Sequence, residues 1–248
     1  MPSGRMSLAT ASRVVGGVKE YMFRGIQQLP IILGATSLLF TITTGSVVHA
    51  NLAAGLSILM PLYTYVLQIL LGWILGKVAP NNQVSWTRST GDTCNLVPSH
   101  SEKKLGYFEP NGADVQSVPS YWLMSIGFFI GYTISNAVDC LMAPAQPNAD
   151  PINHEKRNSH AIYVIVASVV FSLILLGVRF ISMRGCEGRG TLGITVSVMA
   201  AASAGYLGWG MYNISKRCGS RASDLFGILS QILPAAATAP HPTLCTIE

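Results

Sequence analysis

The side chain best suited to chemistry in this sequence is a carboxylate set among apolar residues. Asp139 closes the series Gly127, Gly131, Ser135, Asp139, whose four-residue spacing puts all of them on one face of a helix. An acid inside a membrane span costs roughly 2.5–3.5 kcal/mol on insertion scales, so it must pair, take up a proton or lie near an interface. Two roles follow: a step in a proton or ion relay, or an interfacial acid at a helix end. The position of Asp139 close to the predicted end of its apolar run favours the second.

Gly193, Ser197, Ala201 and Gly205 repeat the same spacing, as do Ser37, Thr41, Gly45 and His49, and, more briefly, Gln68, Gly72 and Gly76. Such stripes could line a polar pathway for ions or small solutes. They could equally be packing surfaces, within one chain or between copies in a homo-oligomer. Lipid supplies no hydrophobic drive between helices, and small residues permit the close backbone approach that replaces it. Packing is the preferred reading.

Other reactive side chains form no recognisable constellation. The histidines, His49, His100, His154, His160 and His241, fall in predicted turns, loops or the tail. The cysteines, Cys94, Cys140, Cys186, Cys218 and Cys245, are scattered with no CxxC pair and no zinc-ligand spacing. This leaves the redox compartment open, and Cys140 reads as a small apolar packing residue. No nucleophile elbow, phosphate loop, dinucleotide fingerprint or HExxH occurs. No catalytic residue, metal ligand or cofactor is therefore assigned, and the chain is not expected to be an enzyme. Asn213-Ile214-Ser215 has the form of a glycosylation acceptor but abuts a predicted span, so it is expected to be unmodified.

The elements that must position these residues follow from hydropathy. Of 248 residues, 50% are hydrophobic and only 11% charged, well below the roughly 25% charge of soluble domains. The mean hydropathy is +0.42, and long stretches carry no charge at all. A spanning helix needs about 20 such residues. The sequence predicts an all-α membrane protein, a bundle of about five transmembrane helices: four strongly apolar and a fifth rich in Ala and Gly. An amphipathic N-terminal segment (1–29) precedes a helical hairpin (30–78), whose first span opens at Pro30 and runs to about His49. The turn falls at His49–Asn51, and Pro61 is expected to kink the return helix. A polar loop (79–118), the third span (119–142), a Pro- and Asn-rich linker (143–160) and the fourth span (161–184) follow. A short loop with the fifth span (185–214) and an amphipathic helix with an extended tail (215–248) complete the chain.

Both terminal segments have helical apolar spacing, Val15, Val18, Met22 and Ile26 at one end and Leu225, Ile228, Leu229 and Ile232 at the other. Each is expected to lie in the headgroup region or against the protein's own loops. Tyr121 and Trp122 match an interfacial aromatic belt, and Arg179 is placed to snorkel. The net charge of +5 comes from basic residues set singly or in pairs between apolar runs, which excludes a nucleic-acid stripe. Most of them fall on the side holding the N-terminus and the loops 79–118 and 185–190. The positive-inside tendency then favours an internal N-terminus.

Two stretches carry a family resemblance. One is Thr44-Gly45 through Asn51-Leu52 to Pro61; the other is Pro119-Ser120-Tyr121-Trp122 followed by Phe128-Phe129, Tyr132 and Ser135-Asn136-Ala137. Together they resemble multi-span membrane proteins of large icosahedral double-stranded DNA viruses of the algal-virus type, over the first three spans. The resemblance implies a structural protein of the bilayer beneath a capsid shell, in a virion internal membrane or a host membrane during assembly. Its partners would be lipid and capsid or other membrane proteins. A small transporter or channel using the polar stripes and Asp139 is the alternative.

Overall fold

The computed structural model describes residues 8–89, 94, 115–142, 151–182, 186–188, 190–217 and 225. Five of its helical segments are long and apolar enough to cross a membrane: Tyr21–Thr44, Val47–Val78, Tyr121–Met142, Glu155–Ile181 and Thr191–Lys216. The chain is an all-α, multi-pass membrane bundle. Its surface is sorted for hydrocarbon. Large apolar side chains such as Leu38, Phe40, Leu62, Val166, Leu173 and Ile174 are exposed, while Ser120, Asn136, Arg179, Glu187 and Ser215 are buried. A soluble protein would reverse that order.

Helix α1 (Leu8–Thr44) is 37 residues long with Pro30 inside it. At 1.5 Å per residue that is about 55 Å, longer than the ~30 Å hydrocarbon core. This corrects one expectation: Pro30 does not open a helix, because α1 is continuous from Leu8 to Thr44 and carries the proline in its interior. Proline in a helix interior leaves the carbonyl four residues earlier without its donor. That carbonyl, Ile26, accepts a hydrogen bond from Trp122 Nε1 at 2.7 Å. The helix therefore passes through Pro30 with the freed group satisfied from a neighbour.

The hairpin turn also lies earlier than expected. Gly45 takes φ +64, a left-handed conformation that suits glycine at a helix C-terminus, and its N–H returns to Thr41 O at 2.9 Å. Ser46 precedes α2 (Val47–Ala54), so His49, Ala50 and Asn51 are helical rather than in the turn. A single π-turn, Gly55–Leu59, joins α2 to α3 (Met60–Val78). In a π-turn the donor comes from five residues on, and for Leu56 that residue is Pro61, which has none. The Leu56 carbonyl accepts from Tyr121 Oη at 2.7 Å.

The segment after α3 starts with a 3₁₀ turn (Pro80–Asn82) and the short α4 (Gln83–Trp86). Strand β1 (Thr87–Ser89) pairs antiparallel with β2 (Val115–Ser117), closing the root of the polar loop. Gln68 fastens this root to α3: its Nε2 donates to Pro119 O at 2.8 Å, and Ser117 Oγ donates to Gln68 O at 2.7 Å. Helix α5 (Tyr121–Met142) leads to α6 (Pro151–Gly177), extended by a π-turn (Val178–Ser182), and to α7 (Thr191–Lys216). Helix α6 begins at Pro151, so the second half of the 143–160 linker is helical; the first half lies outside the described residues. Of the C-terminal amphipathic stretch only Leu225 is described, and it is buried against the main core.

Helix α5 is the axis of the bundle. One core joins Val48, Leu52, Leu56 and Met60 from the α2–α3 span to Met124, Phe128 and Tyr132 of α5 and to Ala200, Ala204 and Tyr212 of α7. A second sets Trp122, Leu123 and Ile126 against Leu175 of α6, with Ile26, Leu29 and Leu33 of α1 packed alongside.

Candidate functional site

The small-residue stripes of α5 and α7 meet at backbone distance. A Cβ at Gly127 would collide with the Ala201 carbonyl, and one at Gly131 with the Gly205 carbonyl. Gly208, which lies outside the four-residue series, does the same one turn further on, where a Cβ would strike Phe128 O and lie 2.9 Å from Tyr132 N. The α7 stripe divides along its length. Gly193 faces Ser85 of α4 instead of α5, and Ser197 is fully buried with its hydroxyl 3.5 Å from the Glu187 carbonyl oxygen. Ser135 spends its hydroxyl on its own helix, donating to Gly131 O at 2.6 Å.

Asp139 stands at the end of α5 beside the end of α7. Tyr212 Oη donates to its Oδ2 at 3.0 Å, and Lys216 Nζ closes a salt bridge to Oδ1. The pair is partly exposed, with 24% of the Asp139 side chain and 50% of that of Lys216 accessible. Below it Tyr132 Oη donates to Val48 O at 2.8 Å and lies 3.0 Å from Ser215 Oγ, which also accepts from Asn51 Nδ2 at 2.7 Å. Tyr132 and Tyr212 meet edge to face with centroids 5.6 Å apart. These contacts tie the start of α2 and the ends of α5 and α7 into one polar knot.

The opposite end holds a cluster that sequence reasoning missed. Arg179 Nε donates to Glu187 Oε1 at 2.9 Å, and both side chains are essentially inaccessible, at 0% and 1%. Ser120 N donates to Glu187 Oε2 at 3.1 Å, Ser120 Oγ also binds Oε1, and Arg179 Nη2 reaches Ser120 Oγ at 3.3 Å. The guanidinium lies 5.0 Å from the Trp122 ring centroid. Two expectations are corrected. Arg179 does not snorkel, because its counter-ion comes to it from the α6–α7 loop. Trp122 is 1% exposed and does not form an interfacial belt. The available signal is one acid, Glu187, eight residues beyond Arg179 and three beyond Arg184; which base it meets is not readable from that spacing.

Beside this cluster Cys94 and Cys186 are joined in a disulfide across 92 residues of sequence. Two cysteines that look scattered in the sequence thus form a staple between the 79–118 loop and the α6–α7 loop. Ser85 reinforces the same junction: its carbonyl accepts from Gly190 N at 3.3 Å. A Cβ at Gly188, where φ is +90, would lie 2.8 Å from that carbonyl. Cys140 is buried in α5. Among the described residues no three of His, Cys, Asp and Glu gather in a way that could hold a metal ion; His100 and His241 lie outside them.

The arrangement thus consists of a disulfide-stapled ionic cap at one end, a glycine-lined helix contact in the middle and a polar knot at the other end. No protein-family model, curated protein or solved structure matches the chain.

Proposed function

We propose that this multi-pass membrane protein is structural: an anchor in a viral internal bilayer that links the membrane to a capsid shell through its polar segments. The viral setting rests on the sequence resemblance. The observation that carries the structural role is the use made of the polar and small residues. Gly127, Gly131 and Gly205 bring α5 and α7 into backbone contact, and the Asp139 carboxylate is held by Tyr212 and Lys216 at the rim of the bundle. On α5 and α7 these glycines are spent on joining helices, and Ser135 donates to its own helix.

The docking platform in this reading is the 79–118 loop. Its root is fixed on the bundle by the β1–β2 pair, by Gln68 and by the Cys94–Cys186 staple, so a partner that binds it engages the membrane body directly. Mild detergent treatment of purified virions, followed by separation of shell and lipid fractions, tests the proposal. The protein is expected in particles, retained with the shell or membrane fraction. Its presence only in infected-cell membranes and absence from particles would overturn it. The transporter alternative predicts ion flux in reconstituted vesicles that Asp139→Asn abolishes; the structural reading predicts no such flux.

A further inference from the structure

We infer that the end of the bundle bearing the N-terminal part of α1, the 79–118 loop and the α6–α7 loop faces an oxidising compartment. This places the N-terminus opposite to the side favoured by the basic residues. The inference rests on the multi-pass reading and is independent of the viral proposal.

Cys94 and Cys186 belong to two loops that emerge at the same end of the bundle and are covalently joined there. Both are buried, at 5% and 1% exposure, under Phe23, Ile26 and Val178. The position of Cys186 is fixed independently, because its neighbour Glu187 is held by Arg179 and Ser120. Contacts that do not depend on the bond thus hold one cysteine where the other meets it. Such a pair stays oxidised outside the cytosol, whereas glutathione and thioredoxin keep cytosolic thiols reduced. The charge rule is a bias summed over loop residues flanking the spans. Arg179 drops out of that sum, since it is buried and neutralised by Glu187. A covalent bond with a compartment requirement outranks a statistical bias.

Two glycosylation reporters in the full chain, translated into microsomes, test the orientation. Ser99→Asn creates an acceptor with His100 and Ser101 in the polar loop, and Ala236→Asn creates one with Ala237 and Thr238 in the tail. Each variant also carries Asn213→Gln, so only the new acceptor reports. The expected result is a glycosidase-sensitive mobility shift for the loop reporter and none for the tail reporter. A shift for the tail reporter, alone or with the other, would overturn the inference. If neither shifts, alkylation decides. In a chain keeping only Cys94 and Cys186, maleimide adducts should appear after reduction but not before, and labelling of denatured, unreduced protein would refute the assignment.

Discussion

Trp122→Phe removes one donor, the indole N–H that reaches the Ile26 carbonyl at 2.7 Å, and leaves an aromatic ring in its place. Pro30 cannot supply the missing N–H, so the carbonyl becomes an orphan inside the bundle. An unsatisfied buried acceptor costs about 1–3 kcal/mol; measured interhelical hydrogen bonds in membranes average nearer ~0.6 kcal/mol and reach about 1.7. The smaller ring also loses packing and part of its contact with the Arg179 guanidinium 5.0 Å away, worth about 0.5–2 kcal/mol. The total is about 1.5–5 kcal/mol, of which only the orphan portion depends on proline.

A double-mutant cycle isolates that portion. Pro30→Ala restores an in-helix donor to Ile26, so the orphan no longer forms, while the packing and guanidinium losses persist. Trp122→Phe should therefore cost about 1–1.5 kcal/mol less when combined with Pro30→Ala than in the native chain. Reversible unfolding in mixed micelles by added denaturing detergent measures both costs, and a coupling of this size is roughly a tenfold change in the unfolding constant. Equal costs with and without the proline would refute the idea that Trp122 caps the proline-freed carbonyl.

Tyr121→Phe should behave in the same way against Pro61→Ala, because the phenol reaches Leu56 O at 2.7 Å; the same unfolding assay applies. Gly131→Ala drives a Cβ into the Gly205 carbonyl and is expected to cost about 1–3 kcal/mol through forced backbone separation. Gly210→Ala, which meets nothing within 4 Å, should be neutral or stabilise by up to about 1 kcal/mol. Glu187→Gln strands the buried Arg179 charge and should destabilise by about 3–5 kcal/mol, whereas the joint change Arg179→Met with Glu187→Leu should recover much of that loss. Asp139→Asn breaks a partly exposed pair and should cost no more than about 1 kcal/mol, measurable in the same titration.

The span count is legible in the sequence because hydrocarbon imposes a length and a composition that a window of about 20 residues detects. What escapes are features that depend on a residue's partner rather than its type. Pro30 looks like a helix start, the usual place for a proline without a donor, because nothing local to it reveals that Trp122 lies beside Ile26. Cys94 and Cys186 carry no spacing signal, since the folding of the spans, not the sequence between them, brings their loops to one end. The glycine stripes are visible as a four-residue period on both α5 and α7. Which half of the α7 stripe meets α5 is not, and Gly208 falls three residues beyond Gly205, off that period.

Many polar groups of the described spans fall into three uses, and these bear on whether hydroxyl-rich helices imply a conduit. On α1 the hydroxyls of Ser37 and Thr41 donate to the carbonyls of Leu33 and Ser37 at 2.7 and 2.8 Å. Thr43 and Thr44 likewise turn back to Leu39 and Phe40. A hydroxyl bonded to its own helix offers lipid little polarity, so a Ser/Thr stripe can face hydrocarbon without a partner helix. Tyr121 and Trp122 serve the second use, supplying donors that prolines took from α1 and the α2–α3 span. The third is the terminal clusters, where Arg179 with Glu187 and Asp139 with Lys216 hold charge at the two ends of the bundle rather than along its middle. A conducting path needs polar groups that exchange partners with a passing solute. Here each of these groups has a protein acceptor or donor, and Gly131 and Gly205 bring α5 and α7 to backbone contact between the two ends. Opening that contact would separate α5 from α7, the two helices that the polar knot and the main core hold together.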